Sequence, residues 1–260
     1  MPELRLGVAL SSFGQPFKKA LHTAASLGAR GIEIDARNDL RPNEISDTGR
    51  RQLRKLLADL NLRVAGVRFS TRRGYDATDN LDRRMQATVE AMRFAYSLGA
   101  NVIVNSVGRI PESSDHPAYV QLQACLSDLA RHGARIGAML AAETGTEPLP
   151  VLTKLLDSIP ERAIGICLNP GNLIINDHYS EDDIGICAER ILHVYARDGV
   201  RDVARGKGVD VPLGRGSAEF PTILGALDQH HYNGWFVIDR MGSLDPIQET
   251  RTSLSFLQNL

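Results

Sequence analysis

The chain has 260 residues, 43% of them hydrophobic and 23% charged, with a formal net charge of −1. That balance is ordinary for a globular protein and gives a polyanion such as nucleic acid no electrostatic footprint. No apolar run approaches the roughly 20 residues a membrane helix needs, and Met1 to Arg5 begins no signal peptide. The cysteines Cys125, Cys167 and Cys187 form no CxxC pair and read as reduced, buried thiols of a cytoplasmic protein.

Leu4 to Leu10 reads as a buried strand that ends at Ser11 to Gly14. Pro16 suits the first turn of a helix, which is apolar at Phe17, Ala20, Leu21, Ala24 and Leu27 and stops at Gly28. Ile32 to Asp35 is a second strand, and Asp47 to Leu60 a second helix with Leu53, Leu56, Leu57 and Leu60 on one face. Arg63 to Phe69 is the third strand, followed by a helix over Leu81 to Leu98 and a fourth strand from Asn101 to Asn105. Gln121 to Ala134 is helical and Ala138 to Glu143 is the fifth strand. A helix near Pro150 to Ile159 leads to the sixth strand, Ala163 to Asn169, and a short helix over Asp182 to Arg190 leads to the seventh, Ile191 to Asp198. Glu219 to Gln229 is helical, Trp235 to Asp239 is the eighth strand, and Asp245 to Leu257 is a closing helix.

Strands and helices therefore alternate strictly, eight of each. Ser26 to Ile34 and Ser97 to Val104 share one grammar of helix end, Gly stop and strand, and Tyr232 to Val237 repeats it with Asn-Gly. This predicts an α/β chain folded as a single (β/α)8 TIM barrel over residues 1–260. A doubly wound sheet competes, but its Gly-x-Gly-x-x-Gly turn is missing after the first strand.

The stretch from Ala138 to Gly145 is the most informative: five apolar residues run without alternation and end on one carboxylate, Glu143. Such a run suits a strand buried on both faces. Ionising a carboxyl inside it would be very costly, so Glu143 belongs where the strand emerges into a polar cavity, at the end where barrels hold their chemistry. Asp239 closes the eighth strand in the same way. The other polar residues at strand ends are Asp35, Arg37, Arg68, Asn105, Asn169, Asn172, His193, Tyr195 and Arg197. Taken singly, the Asp and Asn residues also read as turn formers or helix caps, and His193 as a core histidine. Arg72 and Arg240 read as solvated. Taken together, the set describes a polar site for a polyhydroxylated or anionic small molecule. Gly214-Arg215-Gly216 is a flexible loop that lets backbone N–H groups and Arg215 approach a ligand, or simply a turn. Arg201 to Lys207 reads as a lid or as a solvated loop.

Ala142 to Gly145, Leu168 to Asn172, Leu192 to Asp198, Pro212 to Gly216 with Phe220, and Tyr232 to Asp239 together resemble the xylose isomerase-like TIM-barrel superfamily over nearly the whole chain. That superfamily includes sugar phosphate isomerases and epimerases and the endonuclease IV type of repair enzyme. The resemblance implies a divalent metal (Mn, Mg or Zn) held by a Glu on strand five, an Asp on strand six, a His on strand seven and a Glu on strand eight. Glu143 matches the first of these. The others fall at Asn169, Tyr195 (with His193 two residues earlier) and Asp239. Asn169 brings no charge and an ordinary phenol titrates near 10, so metal binding is expected to be weak or absent.

The resemblance further implies proton transfer next to a sugar carbonyl by Glu143 and Asp239. Arg68, Asn105, Asn172, His193, Tyr195, Arg197 and Arg215 would then contact a sugar-like small molecule. A barrel that binds a carbohydrate-like ligand without catalysis is the alternative. Endonuclease-type chemistry is remote, because it needs several His ligands and only His193 lies near a strand end. The outer helices do not reveal an oligomeric state.

Overall fold

The computed structural model of the chain describes residues 4–203, 206–240 and 242–260. Eight parallel strands close a barrel: β1 (Arg5–Ala9), β2 (Gly31–Asp35), β3 (Arg63–Arg68), β4 (Val102–Asn105), β5 (Met139–Glu143), β6 (Ile164–Leu168), β7 (Ile191–Ala196) and β10 (Trp235–Ile238). They follow one another around the ring in chain order, with β10 closing onto β1. The helices α1 (Phe17–Ser26), α2 (Asp47–Asp59), α3 (Leu81–Ser97), α4 (Pro117–Ile136), α5 (Leu149–Asp157), α8 (Phe220–Gln229) and α9 (Pro246–Gln258) lie in the crossovers and after the last barrel strand. The expected single (β/α)8 barrel is the observed fold.

Two departures lie on either side of β7. The β6–β7 crossover holds two helices, α6 (Pro170–Ile175) and α7 (Glu181–Cys187), where one starting at Asp182 was expected. The extra helix is nucleated locally. Asn169 accepts a hydrogen bond from the Asn172 N–H through its side chain, and Pro170 sits in the first turn. The seventh strand, expected to reach Asp198, stops at Ala196, and Asp198 begins a hairpin of β8 (Asp198–Val200) and β9 (Val209–Val211). That hairpin packs beside α6. Ala204 and Arg205, in the middle of the expected lid, lie outside the described residues.

Strand alternation divides the apolar residues into two cores. Val8, Ile32, Ile34, Val67, Ile103, Leu140, Ile166, Val194 and Phe236 face outward into the large strand–helix core. Ala9, Ala65, Val102, Val104, Ala141, Cys167, Tyr195, Trp235 and Val237 form a separate cluster inside the barrel. The inner set is rich in alanine and valine, which leaves room for larger polar side chains above them. The three cysteines are buried and unpaired. Among the described residues, no helix is long and apolar enough to cross a membrane.

Candidate functional site

Arg68, the last residue of β3, points into the barrel mouth and is clamped from several strands. Its Nε donates to the Tyr195 hydroxyl at 2.9 Å and lies 3.3 Å from Glu33 Oε1. Its Nη2 and Nη1 meet Asp239 Oδ2 and Oδ1 at 2.6 and 3.4 Å. The guanidinium also lies over the Tyr195 ring, 4.6 Å from its centroid. Tyr195 in turn donates its hydroxyl to Glu33 Oε2 at 2.8 Å. Burial pushes the Tyr195 phenol well above its usual range, so it stays protonated and able to donate. Burial works against the Arg68 charge, but Tyr195, Glu33, Asp239 and Glu143 outweigh it and raise Arg68 above its ordinary value.

The network continues outward. Arg197 reaches Asp239 Oδ2 at 3.5 Å and Asp210 Oδ2, on the β8–β9 hairpin, at 2.9 Å. Arg240 bridges Asp210 at 3.3 Å and Glu249 at 2.9 Å. Ser12 donates to Asp239 Oδ1 at 3.5 Å and accepts the Arg240 N–H at 3.0 Å. Burial raises the Asp210 carboxyl despite the two arginines beside it.

Glu143, at the end of β5, has a different environment. Its Oε1 accepts from Asn169 Nδ2 at 2.8 Å and from Asn172 Nδ2 at 3.2 Å. Oε2 receives no hydrogen bond from a described residue. The side chain is half-buried, and burial raises its carboxyl above the ordinary range, with Asp239 adding to the shift while Arg68, Asn169 and Arg197 oppose it. A carboxyl of this kind, with one oxygen anchored and the other without a described donor, has the chemistry to take up or release a proton.

The other expected site residues separate into two groups. Asn172, Tyr195 and Arg197 join Glu143 and Asp239 around the mouth. His193 lies deeper, fully buried against Gly66, with its ring 5.3 Å from that of Tyr195. Its Nε2 is 3.4 Å from Glu33 Oε2, but neither ring nitrogen has a partner in hydrogen-bond geometry.

Asn105 is not part of the mouth. Val104 beside it faces the barrel, so Asn105 takes the opposite parity and bonds Thr71 and Tyr75 in the β3–α3 loop. Asp35 accepts the Arg37 and Asn38 N–H groups as a turn former, and the exposed Arg37 stacks on Phe69. Arg215 is exposed. The Gly214–Gly216 loop does not offer its N–H groups to a ligand. Asp198 accepts from Gly214, Gly216 and Ala218 as well as Gly199, at 2.8 to 3.1 Å. A Cβ on Gly216 would fall 2.2 Å from Asp198 Oδ1, so only glycine permits this approach.

Five members of the network lie outside the expected set: Glu33, Asp210, Ser12, Glu249 and Arg240, the last expected to be solvated but part-buried between two carboxylates. Glu33 had a readable signal, since it sits between Ile32 and Ile34 in a short strand and therefore faces away from both. Asp210 lies in a hairpin with no counterpart in the expected alternation, and a serine after a strand carries no distinguishing pattern.

The donors around the mouth do not fit a divalent cation. Asn169 Oδ1 is fixed by the Asn172 N–H, so the amino group of this amide, not its oxygen, faces Glu143. Tyr195 is a protonated phenol committed to Glu33, and Asp239 is neutralised by arginine. Among the described residues, no three His, Cys, Asp or Glu side chains converge to hold a metal ion.

The xylose isomerase-like TIM barrel family matches this chain over residues 21–260. An inosose dehydratase of Bacillus velezensis is 24% identical over 217 residues, 72% of each chain. Among solved structures, a xylose isomerase domain protein from Planctomyces limnophilus superposes with a TM-score of 0.85 at 22% identity, covering 99% of this chain and 96% of that one. A D-psicose 3-epimerase determined in the presence of D-fructose gives 0.78 at 15% identity, covering 98% and 99%.

Proposed function

The chain belongs to the xylose isomerase-like TIM-barrel family, and from that premise we propose that it moves a proton next to the carbonyl of an uncharged polyhydroxylated compound. Isomerisation and epimerisation of a sugar and dehydration of a hydroxyketone each have a route that begins with this step. The observation that carries the reading is Glu143, half-buried with a raised carboxyl, one oxygen held by two amides and the other open to the mouth. As carboxylate it takes the proton, and as acid it returns it to carbon or to a leaving hydroxyl. Asp239, also expected to transfer protons, is fully buried and engaged by Arg68 and Arg197, which suits it to anchoring them.

Two features favour an uncharged ligand over a sugar phosphate. Arg68, Arg197 and Arg240 face the four carboxylates Glu33, Asp239, Asp210 and Glu249, which leaves no excess positive charge for a phosphate dianion. The backbone nest in the loop after the seventh barrel strand, a common phosphate position in TIM barrels, is filled by Asp198.

The test is exchange of carbon-bound hydrogen in deuterium oxide, followed by NMR, on a panel that includes D-fructose, D-psicose, their phosphates and inosose, with and without Mn²⁺, Mg²⁺ or Zn²⁺. The expected result is exchange with an uncharged member, falling by about 10²–10⁴-fold in Glu143→Gln. Exchange confined to phosphorylated members would overturn the uncharged-ligand part. Absence of exchange throughout would overturn the proton-transfer reading in favour of a binding barrel. That second reading draws on the engagement of Asn169, Tyr195 and Asp239 with protein partners, and under it a panel member would raise the melting temperature without turning over.

A further inference from the structure

We infer that Arg68 is the built-in cation of this site: its guanidinium receives the substrate's carbonyl oxygen and holds the charge that develops there, so that proton transfer at Glu143 needs no divalent metal. This rests on the proton-transfer reading above and adds the group that makes such a transfer feasible. Glu143 removes a proton from carbon, the C–H electron pair becomes a carbon–carbon double bond, and the carbonyl π pair moves onto oxygen. The proton then returns from Glu143 to carbon, so atoms and charge balance without an oxidant or a second reactant. The oxygen is the one place where charge appears that Glu143 does not touch.

Arg68 has the attributes this task requires. It is rigid, because Glu33, Tyr195 and Asp239 hold it from three strand positions around the barrel. A preorganised charge of this kind needs no rearrangement when the oxyanion forms. It is permanently charged, since the carboxylates and phenol around it reinforce the guanidinium. It also has capacity to spare. A guanidinium carries five N–H groups, and the bonds to Tyr195 and Asp239 use three of them. Its side chain is 12% exposed, and it lies close enough to Glu143 for the two charges to influence one another.

The surroundings point the same way. Glu33 and Asp239 are the carboxylates that would otherwise attract a hard cation, and the guanidinium already contacts both. Next to Glu143, Asn169 presents an amino group, which stabilises a carboxylate but repels a metal. Glu33 and Tyr195 are positioning residues: both lie behind Arg68, almost fully buried, and act through the orientation they give it.

The test has two independent arms on the full-length protein. In the first, the exchange assay is run after exhaustive chelation and again with added Mn²⁺. Unchanged exchange in chelator, with a drop of about 10²–10³ in kcat and little change in KM for Arg68→Lys, is expected for loss of a preorganised oxyanion donor. Exchange abolished by chelator and restored by Mn²⁺, or retained in full by Arg68→Lys, overturns the inference. In the second arm, equilibrium dialysis measures Mn²⁺ and Zn²⁺ binding without reference to activity. The wild type is expected to bind neither at micromolar concentration. Arg68→Met, which keeps the bulk but releases Glu33 and Asp239, is expected to gain up to one equivalent. Stoichiometric metal on the wild type overturns the inference. If no compound on the panel exchanges, the proton-transfer reading fails by itself, and the dialysis arm still decides whether the guanidinium has taken the cation's place.

Discussion

Glu33 and Glu143 are two glutamates on inward-facing positions of short apolar strands in one barrel, and they have opposite fates. Glu33 is 2% exposed and both its oxygens are engaged, by Arg68 on one side and by Tyr195 and the nearby His193 on the other. Glu143 has one oxygen anchored by two amides and the other without a described donor. Their neighbours decide the difference. Glu33 faces a guanidinium that repays the cost of its burial, whereas Glu143 is offered only uncharged amide donors at contact distance and keeps a raised carboxyl. A charge that is fully matched builds structure, and one that is half matched remains available for chemistry.

The largest way to break this contrast is Glu33→Gln. It removes one carboxylate from a buried pair and leaves Asp239 as the only carboxylate in contact with Arg68, and the expected loss is about 3 kcal/mol of folding stability, measurable by urea denaturation. A loss no larger than that of a surface substitution would show that Glu33 does not hold the guanidinium.

Glu143→Gln should act in the opposite direction on stability while removing activity. Because burial raises the Glu143 carboxyl in the folded state, the folded protein holds this proton more tightly than the unfolded chain does. Its contribution to stability is therefore fully present below the ordinary carboxyl value of 4.5 and is lost as pH rises through the higher folded-state value. At neutral pH the ionised group is a net cost. A neutral amide of the same shape should then raise the melting temperature by about 2–4 °C for each kcal/mol recovered. Thermal scans across pH 4 to 8 should show the wild type and variant converging at the acid end. A variant less stable than wild type at neutral pH would contradict this account.

The smallest expected effect belongs to Tyr195→Phe. It deletes one hydroxyl between Glu33 and Arg68 but leaves their direct contact at 3.3 Å, at a cost of about 1–2 kcal/mol. If it instead matched Glu33→Gln, the hydroxyl, and not the ion pair, would be the keystone of the closed side.

The barrel itself was legible because its signals are local. Alternating periods, glycine stops and continuous apolar strands each reside within one segment of about ten residues. Glu143 was legible for the same reason, as a lone carboxylate closing the run from Ala138. Asn105 closes the fourth strand, which suggests the mouth, but alternation with Val104 points it away. Glu33 closes no strand, yet Ile32 and Ile34 imply that it faces inward. Both follow from strand parity, a signal that becomes decisive only when one knows which side is the interior.

The amino-acid sequence by itself determined the eight-unit alternation, the barrel and the strand end at which Glu143 would emerge. Only the tertiary structure decided which charges would meet. Arg68 and Asp239 are separated by 171 positions and Glu33 and Tyr195 by 162, and barrel closure brings each pair into contact. It also gave Asp198 the glycine-loop N–H groups expected to face a ligand, and turned the Asn169 amide so that its amino group meets Glu143. Hydrogen bonds and ion pairs depend on ångström distances between segments, and no periodicity along one segment encodes those distances.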